Sequence, residues 1–335
     1  MRILNWNIEW MNKWFSGNST PQWKGPASFT AASKESAQRV ANVITTIDPD
    51  LICLQEGPSA QEEMALFIRD FLSDDQGNPL YTGLIGKDGG AQKLYGLRKV
   101  DGLVTHMDYA LDDASVELEE SWDADVDGDL MLSPYDFTRQ PLILDVDGNG
   151  IQPFTIINLH TKSKHVHNGQ EMFNDPARRQ DFVAAAIKAR RRISAEGYRL
   201  RRYLDQRLKD NNQARIVVTG DFNDGPGHDF FERSFLTHNV ADIVLGSTFY
   251  PRLIFNHPLI ERVEPPMLFT ARFDDFVDGI MDRPLMLDHF LVSPALVSEI
   301  QSARIAHEEF DAEVEGSGEP RAKRPSDHRP IVLDL

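Results

Sequence analysis

A series of short apolar runs, spread along nearly all of this 335-residue chain, most constrains its fold, because each run ends at, contains or follows polar, mostly ionisable residues. Arg2 to Asn7 alternates into Ile8. Leu51-Ile52-Cys53-Leu54 stops at Gln55-Glu56, Phe154 to Leu159 stops at His160, and Ile216-Val217-Val218 stops at Gly220-Asp221. Met286 to Val292 carries Asp288 in its middle, and Ile331-Val332-Leu333 follows Ser326-Asp327-His328 directly. Runs this short, bounded by turn formers, suit buried strands better than helices.

Helices fall between the runs. Val40, Val43, Ile44 and Ile47 share one helical face, and Pro49 stops that helix. Met64, Phe67, Ile68, Phe71 and Leu72 repeat the pattern behind Ser59, read as its N-cap. The stretch from Pro176 to Leu208 is helical by composition, with Gly197 as a candidate break. Asp147-Gly148-Asn149-Gly150, between two apolar runs, reads as a hairpin turn. Strands alternating with helices, plus hairpins, predict an α/β (α+β) chain of mixed sheets flanked by helices. No solenoid repeat and no linker tract interrupts it, so residues 1–335 read as one domain.

Charge sharpens the functional reading. The net charge is −17, yet residues 101–150 hold fourteen acids against Arg139 alone, whereas residues 176–209 hold eleven bases against three acids. Residues 108–136 thus form an acidic, insertion-like segment and 176–209 a basic helical one. An acidic protein disfavours tight nonspecific wrapping of nucleic acid, but not a polyanionic substrate held through metal ions and a local basic strip. No run approaches the ~18 apolar residues of a membrane span. No basic leader precedes the first strand either, so the sequence as given reads as cytoplasmic. The lone Cys53 makes no internal disulfide.

The residues at the strand ends form a coherent chemical set. Carboxylates and an amide oxygen are hard ligands that suit Mg²⁺ or Mn²⁺, and histidines hydrogen-bond phosphoryl oxygens or move protons. The set describes metal-assisted hydrolysis of a phosphate ester. Asn7 within Leu4-Asn5-Trp6-Asn7-Ile8-Glu9, Gln55-Glu56, Leu159-His160, Gly220-Asp221-Phe222-Asn223, Asp288 and Ser326-Asp327-His328-Arg329-Pro330 occur in this order. Together they resemble the ordered motifs of the endonuclease/exonuclease/phosphatase superfamily, over residues 4 to 330. The resemblance implies a deoxyribonuclease I-like four-layer sandwich, two packed mixed sheets with helices outside.

The resemblance also implies roles. Asn7, Glu56 and Asp327 would hold the metal, and Asp221 would activate water, with Asn223 holding substrate and Asp221. His160 and His328 would contact the phosphoryl group, and Asp288 would orient His328. The Leu159-His160 segment argues against the abasic-site endonuclease branch, and residues 282–287 lack the segment usual in inositol polyphosphate 5-phosphatases. Lys162 and Lys164 read equally as phosphate contacts or as a solvated loop. The expected activity is a nuclease or phosphodiesterase cleaving DNA or RNA. The alternatives are an enzyme for an inositol phosphate or phospholipid headgroup, and a non-catalytic binding module. No protein partner is inferable.

Weaker signals remain. Asp123, Asp125, Asp127 and Gly128 imitate the start of a Ca²⁺ loop, but Pro134 stands where a Glu is needed, so a structural Ca²⁺ is the minor reading. Trp10, Trp14, Phe15 and Trp23 read either as base-stacking groups or as a small loop core.

Overall fold

Two sheets, each built around one parallel strand pair, account for the apolar runs. The structure, a computed structural model, describes residues 1–16, 20–25, 33–87, 90–111, 116, 118–227, 229–235, 239–315 and 321–335. The strands of the two sheets are β1 (Arg2–Asn7), β2 (Leu51–Gly57), β3 (Tyr81–Ile85), β4 (Lys93–Lys99), β5 (Val104–Tyr109), β6 (Leu142–Gly148), β7 (Ile151–His160), β8 (Ile216–Asp221), β9 (Asp288–Val292), β10 (Ser302–Ile305) and β11 (Ile331–Asp334). The first sheet has the order β10-β11-β1-β2-β4-β3 and the second β9-β8-β7-β6-β5. β1 and β2 are parallel, as are β7 and β8; the other neighbours in both sheets are antiparallel.

Alternation along the strands makes the layers, since successive side chains point to opposite faces of a sheet. Ile3, Leu51, Cys53 and Leu333 of the first sheet meet Leu144, Ile156, Val217 and Phe290 of the second in a core between the sheets. The opposite faces are covered by helices. Leu4, Trp6, Ile52 and Leu54 pack against α1 (Ser33–Ile47) and α2 (Gln61–Phe71), while Ile157, Val218 and Leu291 pack against α3 (Arg179–Asp210). The expected four-layer sandwich is the fold that forms.

A polar lock joins the two sheets. Asn158 of β7, fully buried, donates to the carbonyls of Leu54 and Tyr95, both at 3.0 Å, and accepts from Gln55 Nε2 at 2.6 Å. Gln55 also donates to Asn5 at 2.7 Å. Asn158→Ala would leave two buried carbonyls and an amide unpaired. The expected cost is about 2–4 kcal/mol, read as a lower urea midpoint. A loss of unfolding free energy below a few tenths of a kcal/mol would show that the lock is dispensable.

Three local expectations change. Gly197 does not break the long helix; it faces Val240 and Ile243, where an added Cβ would come within 3.2 Å of Val240 Cγ1, so glycine is there for close approach of a neighbouring helix. That helix starts at Arg179 rather than at Pro176. Ser59 is not the cap of α2: its hydroxyl donates to the Ala91 carbonyl, and Ala60 precedes the helix with its amide on Glu63.

Part of the basic segment turns inward. Arg190 and Arg201 are buried, Arg190 on Asp229 and Arg201 on the Val244 carbonyl at 2.8 Å. Lys188 pairs with Asp127 at 2.6 Å and Arg191 approaches Asp125 at 3.6 Å. Two of the carboxylates that imitated a Ca²⁺ loop, Asp125 and Asp127, are thus engaged with the helix, and Asp125 also with the amides of Gly128 and Leu130. Residues 112–115 and 117 of the acidic segment lie outside the described residues. Among the described residues no helix is long and apolar enough to cross a membrane.

Candidate active site

Topology explains why residues distant in sequence meet. Parallel strands β1, β2, β7 and β8 bring their C-terminal ends to one rim, supplying Asn7, Glu56, His160 and Asp221. Antiparallel neighbours contribute their beginnings at the same rim. Asp288 opens β9 directly opposite Asp221, and Asp327 and His328 precede β11, which runs against β1. Two of the rim residues have left-handed backbones, Glu56 with φ 57° and Asn223 with φ 52°. Strained backbone of this kind collects at functional sites, where the surrounding structure enforces it. Gly220, φ 143°, lets β8 press against the Leu159 carbonyl just before Asp221, where a Cβ would clash.

At the centre, His328 Nδ1 lies 2.7 Å from Asp288 Oδ2, and its Nε2 lies 3.8 Å from Asp221 Oδ2 and 3.7 Å from Asp327 Oδ1. Burial works against the imidazolium, but Asp288 and Asp221 outweigh it, holding the His328 pKa well above its usual value. His160 behaves oppositely. Burial, with Arg139 and His328 nearby, keeps it neutral far below the usual range. Its Nε2 is 3.5 Å from Asp221 Oδ2. Asp221 itself, fully enclosed, is pushed up to about 7 by burial, although His328 pulls the other way. It accepts from Asn7 Nδ2 at 2.9 Å and from the Asn223 amide at 2.7 Å.

Two sets of donors bear on metal binding. Asp221, Asp288 and His328 place one ligand atom each within 4.8 Å of one another. However, His328 Nδ1 and Asp288 Oδ2 are already committed to each other, which makes that trio a proton-handling group first. The better fit for a hard cation lies beside it. Asn7 Oδ1 is buried with no partner, and burial raises the Glu56 carboxyl above its usual pKa although the Trp10 amide, Arg139 and His328 pull the other way, so the cost of burying these oxygens is not fully offset. Glu56 is aimed by the Trp10 amide at 3.0 Å and by Gln92. Asp327 faces the same cleft but forms a salt bridge to Arg321 at 2.7 Å.

These residues line one cleft of about 970 Å³. Asn7, Glu56, His160, Lys162, Lys164, Asp221, Asn223, Asp327 and His328 border it, and Asp288 sits behind His328. Asn223 donates to the Thr161 carbonyl at 3.1 Å. Lys164 is tied to Asp224 and Glu232, so its charge is already matched. The aromatic question divides: Trp14 and Phe15 are buried, Trp23 stacks on Phe15 at 4.8 Å, and Trp10, 44% exposed, stands at the cleft. Arg139 and Gln92 also border the cleft and were missed by motif reading. The signal for Arg139 was its isolation as the one base in residues 101–150.

The chain matches the Endonuclease/Exonuclease/phosphatase family over residues 4–328. No curated protein sequence matches it. Among solved structures, it resembles a 3'-5' exonuclease (NExo) from Neisseria meningitidis, with 15% identity, TM-score 0.52, and coverage of 100% of this chain and 99% of that one. A mannosyl-6-phosphatase from Bacteroides thetaiotaomicron is similar at 14% identity and TM-score 0.52, covering 100% and 99%. Truncated TDP2 from Caenorhabditis elegans is similar at 14% identity and TM-score 0.50, covering 100% and 97%. At these identities the likeness concerns the fold.

Proposed function

Because the chain belongs to the Endonuclease/Exonuclease/phosphatase family, a family of phosphate-ester hydrolases, we propose that it is a divalent-metal-dependent phosphodiesterase that cleaves nucleic acid by attack of water. The observation that carries this reading is the convergence of Asp288, His328, Asp221 and His160 beside the unpartnered oxygen of Asn7 and the buried Glu56. The same convergence speaks against a non-catalytic binding module, which has no use for a buried proton-handling chain.

Asn7 and Glu56, with Asp327 at the cleft edge, would hold Mg²⁺ or Mn²⁺. When bound, the ion would polarise the phosphoryl group and offset its negative charge. Asp221, poised near neutrality, accepts a proton from water, the task for which a base near ambient pH is best suited. The Asn223 amide and Asn7 fix its two oxygens in place. His328, kept cationic by Asp288, donates from Nε2 toward a phosphoryl oxygen, and neutral His160 offers a further polar contact. Asp288 touches only His328 among these groups and acts by fixing the tautomer and orientation of the ring.

The deciding experiment is a panel of single-stranded DNA, duplex DNA, RNA, inositol phosphates and bis-p-nitrophenyl phosphate, with Mg²⁺, with Mn²⁺ and with EDTA. Hydrolysis of a nucleic acid that vanishes in EDTA and returns with metal is expected. A preference for inositol phosphates would overturn the nuclease assignment, and activity indifferent to EDTA would overturn the metal.

A further inference from the structure

We propose that Arg139 and Lys162 form a second phosphate-binding subsite, which takes the phosphate next to the one being hydrolysed; this rests on the nuclease reading above. Among the described residues, besides His328, five lysines and arginines border the cleft: Arg139, Lys162, Lys164, Arg190 and Arg283. Three are neutralised by carboxylates. Lys164 is held by Asp224 and Glu232, Arg190 by Asp229, and Arg283 by Asp275 at 2.5 Å and Asp278 at 2.9 Å. Among the described residues, no carboxylate lies within the 4.0 Å of an ion pair from Arg139 or Lys162. In a chain with 52 acids against 35 bases, two neighbouring half-buried cations without an ion pair of their own, which Glu56 and Glu196 reach only through space, leave room for an anion from outside.

The pair is held in place without being neutralised. Arg139 donates to the Thr161 carbonyl at 3.3 Å and to Gln92 Oε1 at 3.1 Å, and Gln92 in turn holds Glu56. One buried carboxylate, Glu196 of α3, sets the backbone on both sides. Its Oε1 accepts the amide of Thr138, adjacent to Arg139, and its Oε2 accepts the amide of Lys162, each at 2.9 Å. The Tyr135 hydroxyl adds a third bond to Glu196 at 3.1 Å. A long helix that would otherwise only cover a sheet thus fixes two cleft segments relative to each other.

Location and charge indicate which phosphate is taken. Arg139 is linked through Gln92 to Glu56, and Lys162 follows His160 by two residues, so the pair borders the hydrolytic centre on that side. The scissile diester carries one negative charge, already faced by cationic His328. Two more positive charges exceed its need and match a neighbouring phosphodiester on the same strand.

The test uses Asp221→Asn protein with Mn²⁺ and calorimetric binding of thymidine dinucleotide with and without a 5'-phosphate. Expected is at least tenfold tighter binding of the phosphorylated form, and loss of that ratio in an added Arg139→Gln/Lys162→Gln pair. Glu196→Gln should shrink the ratio in part. Equal affinities for the two dinucleotides in the starting protein would overturn the subsite, whether or not any substrate is hydrolysed. Tighter binding of inositol 1,4-bisphosphate than of either dinucleotide would overturn the nucleic-acid source of the second phosphate. Absence of hydrolysis across the panel above, with the binding ratio intact, would sink the nuclease reading alone.

Discussion

Asp221→Asn should lower kcat at least a thousandfold and, in the metal-free protein, raise stability at alkaline pH. The first effect follows from removing the group that takes the proton of the attacking water, typically worth ~10²–10⁴ in rate. The second follows from burial. The folded Asp221 carboxyl titrates at about 7, against 3.8 for the ordinary side chain. Between those values the folded chain keeps a proton that the unfolded chain has released. Stability therefore falls as pH rises through this window, and the penalty is complete above about 7. Asparagine does not titrate, so the variant escapes the penalty, although His328 loses part of its partner charge. A net gain on the order of 1–3 kcal/mol at pH 8 is expected, shrinking toward pH 5. Thermal melts in EDTA across that range measure it. Parallel pH dependences for the variant and the parent would show that Asp221 is not buried as an uncompensated acid.

Loss of His328 should be nearly as damaging, and Asp288→Asn should mimic it. His328→Gln removes the cationic donor, an effect of ~10²–10³ in kcat for a well-placed charge contact in a dry site. Asp288→Asn leaves the ring in place but removes the anion that holds it charged and aimed. The two changes strike one unit, so the double variant should fall little below the worse single one. The pH profile separates an orienting role from a merely structural one. His328 is cationic up to a pKa well above its usual value, because the charges of Asp288, Asp221 and Asp327 outweigh burial. Activity that needs the cation is therefore lost as pH rises through that raised value. Asp288→Asn lowers it and should move the alkaline limb of kcat toward neutral pH. An unmoved limb would mean that Asp288 only fills space.

Much of this site was legible because its chemistry sits at the ends of apolar runs. Asn7, Glu56, His160 and Asp221 each follow a strand whose burial is obvious from composition, and parallel pairing then forces their ends to one rim. Asp288 and His328 were found by motif order, and their contact is a consequence of antiparallel neighbours entering from the same side. What stayed hidden were residues whose role depends on a partner far away in sequence. Asn158 lies inside an apolar run and looks like an ordinary strand residue until the other sheet is placed over it. Glu196 sits among arginines and reads as a helix salt-bridge residue, yet it bonds backbone amides, the Thr138 side chain and a tyrosine. Strands β3 to β5 went unread because their sequences carry polar residues or glycine and lack a continuous apolar run, although the middle of β4 is buried. Part of the basic strip was misleading for the complementary reason: the charges of Lys188, Arg190 and Arg191 are answered by acids from loops that the sequence does not show to be near.

The lock at Asn158 acquires a further meaning from where the chemistry is divided. Asn7, Glu56 and His328 belong to the first sheet's edge, and His160, Asp221 and Asp288 to the second's. The catalytic constellation therefore has the character of a caliper with one jaw on each sheet, and its gap is set by how the sheets seat on one another. Gln55 lies one residue before Glu56 and Asn158 two before His160, so the dowel that aligns the jaws is placed directly below their tips. Sliding of a greasy interface by an ångström would cost little by itself. With the amides in place, the same slide breaks hydrogen bonds that water cannot reach to replace. The relative placement of the two halves of the candidate site is thus a property of three neutral side chains buried beneath it.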